Sequence, residues 1–398
     1  MSEPRGLKQL VTLYSDSMLR KVLIGLLLAL VLIVGAGVFV HHKIQQDLRA
    51  LATEDAEVLK RLKPGIAVGE GKFRRNTFYS APELGYISQI RLGWPSDIEG
   101  ANLTVVGSRG ADFIDLSGNR KKTTTFEGSP SSQVVVAHLP SGSYGYLTRD
   151  QSWVSPATLY DKSGQPRWTS DSWPGVDDSV DANLYGDGRL SVVVGYNGSG
   201  GIELLDGDGK RVWKKDDGNV WHVESLDVDG DGRDEILHSN AKGQLTVRNA
   251  SGDVVTRYLP GYYVSFFALT RWDKEDRPTH VLAPTADRAD GKCIFLVLDA
   301  RGNTVAKFES PLGDELKYSV ATPINFGADA EYFAILQTRS ALSRSLLLLF
   351  DRDQHLVYQE ILAEGCQAVA SLPQRTGEEL LVGCEGKVLA YSRMRPAQ

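Results

Sequence analysis

The chain has 398 residues, of which 42% are hydrophobic and 24% charged, and its net charge is −6. That length fits one large domain or two to three ordinary ones. The composition is globular, and the acidic balance offers no basic footprint for nucleic acid. Forty glycines and recurrent turn signals favour an all-β chain.

The first element in chain order is the run "VLIGLLLALVLIVGAGVFV", Val22 to Val40, nineteen residues without a charge. A bilayer core of about 30 Å needs roughly 20 apolar residues as a helix. A cleaved signal peptide is the alternative, with Gly35-Ala36-Gly37 as the small-residue site. The apolar run continues past that site through Val38-Phe39-Val40 and exceeds a usual signal core, which favours an uncleaved anchor. Arg5, Lys8, Arg20 and Lys21 precede the run, and Lys43 and Arg49 follow it. The bias places the N-terminus in the cytoplasm and the remainder in the periplasm or outside the cell. Residues 41–63 then read as a helix with Ile44, Leu48, Leu51, Val58 and Leu62 on one stripe, ended by Pro64-Gly65. Asp55 interrupts the stripe, so an amphipathic spacer is favoured over a dimerising coiled coil. The expected organisation is a cytoplasmic tail over 1–21, a membrane anchor over 22–40, a helical linker over 41–71 and one all-β domain over 72–398.

Beyond residue 85 a unit recurs: an apolar strand ending in an acid, a short glycine turn, and another strand. It appears as "FIDLSGNRK", "LYDKSGQPRW", "LLDGDGKRVW", "VRNASGDVV", "VLDARGNTV" and "LFDRDQHLV". The turn residues Asp115, Asp161, Asp206, Asn249, Asp299 and Asp351 are spaced by 46, 45, 43, 50 and 52 positions. Periods of this size belong to propellers or solenoids, and about four strands per unit is a propeller blade. Six units and a final partial one predict about seven blades. The last unit shows three strands, and an unpaired edge invites aggregation. The segment "KFRRNTFYS", Lys72 to Ser80, is the expected donor of its fourth strand. Trp168 and Trp213 follow the glycine turn at matching positions in two units. This resembles the PQQ-type propeller repeat, whose tryptophans dock between blades. Simple packing between blades is the favoured reading of both residues, over a quinone site or an outer-membrane assembly scaffold.

The densest chemistry lies in "DVDGDGRDEIL", Asp227 to Leu237. Acids at the first, third and fifth positions and a glycine at the sixth form the pattern of an oxygen cage for a hard cation. An EF-hand would need an acid at the twelfth position, and His238 stands there. Glu235, at the ninth, can close the cage instead, and a strand follows in place of a helix. The stretch "LDVDGDGRDEIL" resembles the calcium loops of FG-GAP and VCBS repeats, the blades of integrin-alpha-like β-propellers. The resemblance implies Ca2+ held by Asp227, Asp229, Asp231, the carbonyl of Arg233, and Glu235, with Asp234 turned to solvent. Magnesium would tolerate such irregular geometry less well. "NLYGDGRLSVVVG", from Asn183, aligns with this loop but has Tyr185 and Ser191 where acids are needed, which suggests the same turn without its metal. "DGDG" at Asp206 to Gly209 reads as a plain hairpin turn.

Three cysteines occur, and two fall in one predicted hairpin around "PQRTG". A turn centred on Arg375 sets Cys366 opposite Cys384, close enough to bridge in an oxidising compartment. A register one residue off would leave two free thiols. No nucleophile elbow, P-loop or phosphate-cradling glycine motif is present, and the seven histidines are scattered. The expected function is a membrane-anchored, calcium-binding propeller that engages an envelope protein or glycan, catalysis being the less expected role. The alternatives are an envelope polysaccharide lyase or hydrolase working at the central funnel, and a PQQ-type propeller assembly factor. Histidines, arginines and carboxylates converging on the funnel from different blades would favour the enzyme.

Overall fold

A computed structural model describes residues 37, 39–46, 53, 55–93, 98–128, 133–149, 155–259, 261–272, 278–287, 292–312, 318–327, 330–339 and 342–394. The chain divides into two compact units, Met1–Leu62 and Lys63–Gln398. In the first, the described residues are helical through 61. Among the described residues no helix is long and apolar enough to cross a membrane. Apart from Gly37, Phe39 and Val40, the run Val22 to Val40 lies outside them, as does the tail over 1–21.

The second unit is a seven-bladed β-propeller, each blade an antiparallel sheet of at least four strands. Its blades are numbered here in chain order by their innermost strands: Ile87–Leu92, Gln133–His138, Val176–Ala182, Val220–Leu226, Ala268–Thr270, Tyr318–Asn325 and Cys366–Gln374. The second and third strands of a blade are covered on both faces, and such strands read as unbroken apolar runs. Ser191–Tyr196 (SVVVGY) is buried throughout, and Arg344–Asp351 (RSLLLLFD) is buried apart from its ends. The core therefore lies between blades. Val135, Ala137 and Leu147 of blade 2 pack with Val176, Val192 and Tyr196 of blade 3.

The recurring acid-glycine turn has one geometry. In blade 3, Asp206 Oδ1 accepts the N–H groups of Asp208 and Lys210, both at 2.9 Å, and Gly209 N–H closes on Asp206 O at 3.0 Å. Gly209 has φ +77, the left-handed region that a glycine enters without penalty, and the pairing steps by one residue beside it. The equivalent turns at Asp115, Asp161, Asn249 and Asp299 repeat these bonds.

Ring closure uses the N-terminal strand. Phe73–Ser80 pairs with Lys387–Arg393 and supplies the fourth strand of blade 7. A further strand departs from the sequence expectation. Gly65–Val68, placed in the helical linker by the sequence, is extended and pairs with Leu356–Leu362 as a fifth strand of blade 6. Pro64 and Gly65 break the helix, and Ile66-Ala67-Val68 offer backbone to an otherwise open sheet edge.

Blade 7 also corrects the expected register. Gln374 faces Gly377, so the turn is Arg375-Thr376 and is not centred on Arg375. Most pairs in the hairpin are accordingly displaced by one position from the expected alignment. A bulge between Cys366 and Ala368 shifts the ladder back, setting Cys366 opposite Cys384. The two Sγ atoms are bonded at 2.05 Å.

Candidate functional site

Two features concentrate charge: the acidic loop of blade 4 and the central channel. The loop joins Val220–Leu226 to Glu235–Asn240. Side-chain oxygens of Asp227, Asp229 and Glu235 all lie within 4.8 Å of one another. Asp227 accepts the N–H groups of Gly230 and Gly232 at 2.7 and 3.1 Å, and Glu235 accepts Val228 N–H at 3.0 Å. These bonds preform the loop while leaving further carboxylate lone pairs for a cation. Burial raises the Glu235 pKa, and the charges of Asp229, Asp231 and Asp227 raise it further. A divalent cation would reverse that repulsion. The donor set, hard oxygens at close range, therefore fits Ca2+.

The structure does not bring Asp231 into this group of three. Its Oδ1 accepts Arg233 N–H at 2.8 Å, and its Oδ2 lies 3.7 Å from Arg233 Nε. Asp234 corrects the expectation that it turns to solvent. It is half-buried and accepts Asn183 N–H at 2.8 Å, while its own N–H donates to Asn183 O at 3.1 Å. Asn183 Nδ2 also donates to Gly232 O at 3.2 Å. The Asn183 loop of blade 3 thus braces the acidic loop of blade 4. In that brace Asp187 is paired with Arg189, whose guanidinium lies over Tyr185.

The channel is a cavity of about 1060 Å³ lined by innermost strands. Arg149 of blade 2 reaches Asp178 of blade 3 (Nε–Oδ1 3.2 Å) and Glu224 of blade 4 (Nη2–Oε1 2.8 Å). His222 of blade 4 turns Nδ1 to Asp178 Oδ2 at 2.5 Å and Nε2 toward Glu224 Oε1 at 3.5 Å. Burial opposes charge on His222, yet Asp178 prevails and its pKa is pushed up to about 9. Burial likewise works against Asp178, and Arg149 and His222 hold it well below the usual carboxylate range. A second set links blades 1 to 3: Arg91 Nη1 lies 3.1 Å from His138 Nε2, and His138 Nδ1 lies 2.9 Å from Asp181 Oδ2. A third joins blades 5 to 7, where Arg271 Nη2 donates to Thr322 Oγ1 at 3.3 Å and Ser371 Oγ at 3.2 Å.

His138 and His222 are two of the seven scattered histidines, and their charged partners stand apart from them in the sequence. The signal was present: Val176–Ala182 and Val220–Leu226 occupy equivalent places in the repeat, so Asp178 and His222 share one position. At the rim, Trp168 Nε1 donates to Gly207 O at 3.1 Å and Trp213 Nε1 to Ala250 O at 2.8 Å. Tyr258 does the same to Ala300 O. Each of these three outer-strand aromatics clamps the turn of the next blade, and Tyr258 extends a pattern that the tryptophans marked twice.

No family model matches the chain, and no curated protein matches it. Solved structures do. The crystal structure of BBS1N in complex with ARL6DN, soaked with mercury, is similar over 82% of this chain and 96% of that chain, with 13% identity and TM-score 0.50. The same complex soaked with lead gives 14% identity, the same coverage and TM-score 0.49. At such identity the likeness concerns the fold, which is the β-propeller.

Proposed function

We propose that this chain is a membrane-anchored, extracytoplasmic β-propeller, stabilised by Ca2+, that serves as a scaffold for a protein partner of the cell envelope. The observation that carries the reading is how the channel charges are used. Arg149, Asp178, His222 and Glu224 pair with one another across three blades, and Asp178 holds His222 toward its protonated form, which leaves it a poor base. Aromatic surface lies elsewhere. Trp173 is 83% exposed just before the innermost strand of blade 3, and Tyr262 is 53% exposed before that of blade 5. Between them Trp221 packs edge-on to Tyr263, with ring centroids 6.0 Å apart. The innermost strands run from these loops toward the acidic loop, so the two features belong to opposite ends of the ring. Exposed aromatics are the anchors that protein interfaces favour. The BBS1N structure, crystallised with ARL6DN, lends support for a protein partner.

The test is cross-linking in intact membranes followed by purification of the full chain in detergent. A discrete adduct in wild type that is lost in the Trp173→Ala, Tyr262→Ala double variant is the expected result. An adduct equally strong in both would place the partner elsewhere. For the metal, Asp227, Asp229 and Glu235 are the holding residues, and binding to the folded state stabilises by about 2.7 kcal/mol at a hundredfold excess over Kd. Chelation should lower the melting temperature of wild type and leave Asp229→Ala unmoved. A wild-type melt indifferent to chelator and added Ca2+ would sink the metal reading.

A further inference from the structure

Among the described residues, the cations that line the channel are compensated by carboxylates, with the exception of Arg271. Arg149 and His222 have Asp178 and Glu224, and His138 and Arg91 have Asp181. Arg271, just past the innermost strand of blade 5, has two hydroxyls and no carboxylate. Those hydroxyls come from Thr322 of blade 6 and Ser371 of blade 7, which are 5% and 6% exposed. Arg271 itself is half-buried. Among the described residues no carboxylate pairs with this half-buried guanidinium, so an anion would supply the charge partner it lacks. Both hydrogen bonds use Nη2, so the rest of the planar fork remains open to a second pair of acceptors. The same channel carries an orphan donor: Ser319, 7% exposed, has a hydroxyl without a hydrogen-bond partner. We propose that the channel binds a small carboxylate-bearing ligand, with Arg271 as its anchor and Thr322 and Ser371 fixing the plane of the guanidinium.

A carboxylate is favoured over other oxyanions because its two oxygens match the guanidinium fork. The site stands apart from the aromatic loops, so it can be occupied whether or not a protein partner is present. Channel volume admits a sugar acid, and the chemistry asks for the acid and not the sugar.

Isothermal titration of the full chain in detergent tests this with four probes: glucuronate, its neutral counterpart glucose, acetate and inorganic phosphate. Saturable binding of glucuronate and acetate but not glucose is expected, with at least tenfold weaker binding in Arg271→Gln. Glucuronate bound well and acetate poorly would add contacts to the sugar ring while keeping the anchor. Phosphate bound in preference to both carboxylates would overturn the ligand class, and equal affinities in wild type and Arg271→Gln would overturn the site. Should Arg271→Gln fail to fold, Ser371→Ala keeps the charge and removes one positioning hydroxyl. It should weaken glucuronate binding severalfold at an unchanged melting temperature, and unaltered affinity there would count against the proposal.

Discussion

Two histidines sixteen positions apart are held in opposite charge states by their neighbours. His238 is fully buried, and burial drives its pKa well below the usual imidazole range against the pull of Asp217. Its Nε2 accepts Arg248 Nε–H at 2.9 Å, a bond that the neutral ring makes and the protonated ring cannot. His222 is the reverse, raised to about 9 beside Asp178. The signs follow by linkage. Stabilisation from His222 is fully present below its unfolded pKa of about 6.5 and is lost as pH rises through about 9. Stabilisation from His238 is present above about 6.5 and is lost as pH falls below that value. Melting temperature plotted against pH should form a dome. His222→Gln should flatten its alkaline limb, which is worth on the order of 3 kcal/mol at one unit of pKa per 1.36 kcal/mol. An alkaline limb of unchanged steepness in the variant would show that His222 does not set it.

The smallest repeated element is the glycine turn with its clamp from the preceding blade. Gly302 has φ +83, and a Cβ there would come within 2.3 Å of the Tyr258 ring. Gly188, with φ +74, has open space around it. Alanine at either position meets the left-handed penalty of roughly 1–2 kcal/mol. Gly302→Ala should therefore destabilise distinctly more than Gly188→Ala in paired thermal melts, and equal losses would dismiss the clamp. Sequence made the turn legible because acid, glycine and period all repeat. The clamp was half-legible, since a tryptophan marks it in two blades and a tyrosine in the next. The channel charges left one mark, the shared repeat position of Asp178 and His222; which partners meet is set by ring geometry across blades. Cys366 and Cys384 show the finer limit. Alternation along two strands could propose that they face each other, whereas the bulge that restores their register leaves no local sequence mark.

At the scale of the molecule, the ring is held by three bands. Ion pairs and hydroxyl contacts run around the channel, apolar side chains fill the space between blades, and aromatic clamps fasten the rim. Closure then depends on a strand taken from the opposite end of the chain. The membrane proposal belongs at this scale as well. Whole protein should stay with the bilayer through carbonate washing and release into detergent. Recovery in the carbonate supernatant would remove the anchor from the reading.

The doubled seat of the N-terminal segment also has a mechanical meaning. Tension on the chain before Gly65 is borne first by the three paired positions that hold Gly65–Val68 to blade 6. The seven paired positions that hold Phe73–Ser80 to blade 7 come next in line. Parting the first seat frees residues 65–72, about 26–29 Å of extended chain at about 3.3–3.6 Å per residue, while the ring stays shut. With three pairs against seven, the seat on blade 6 should part under load before the closure of blade 7 is strained.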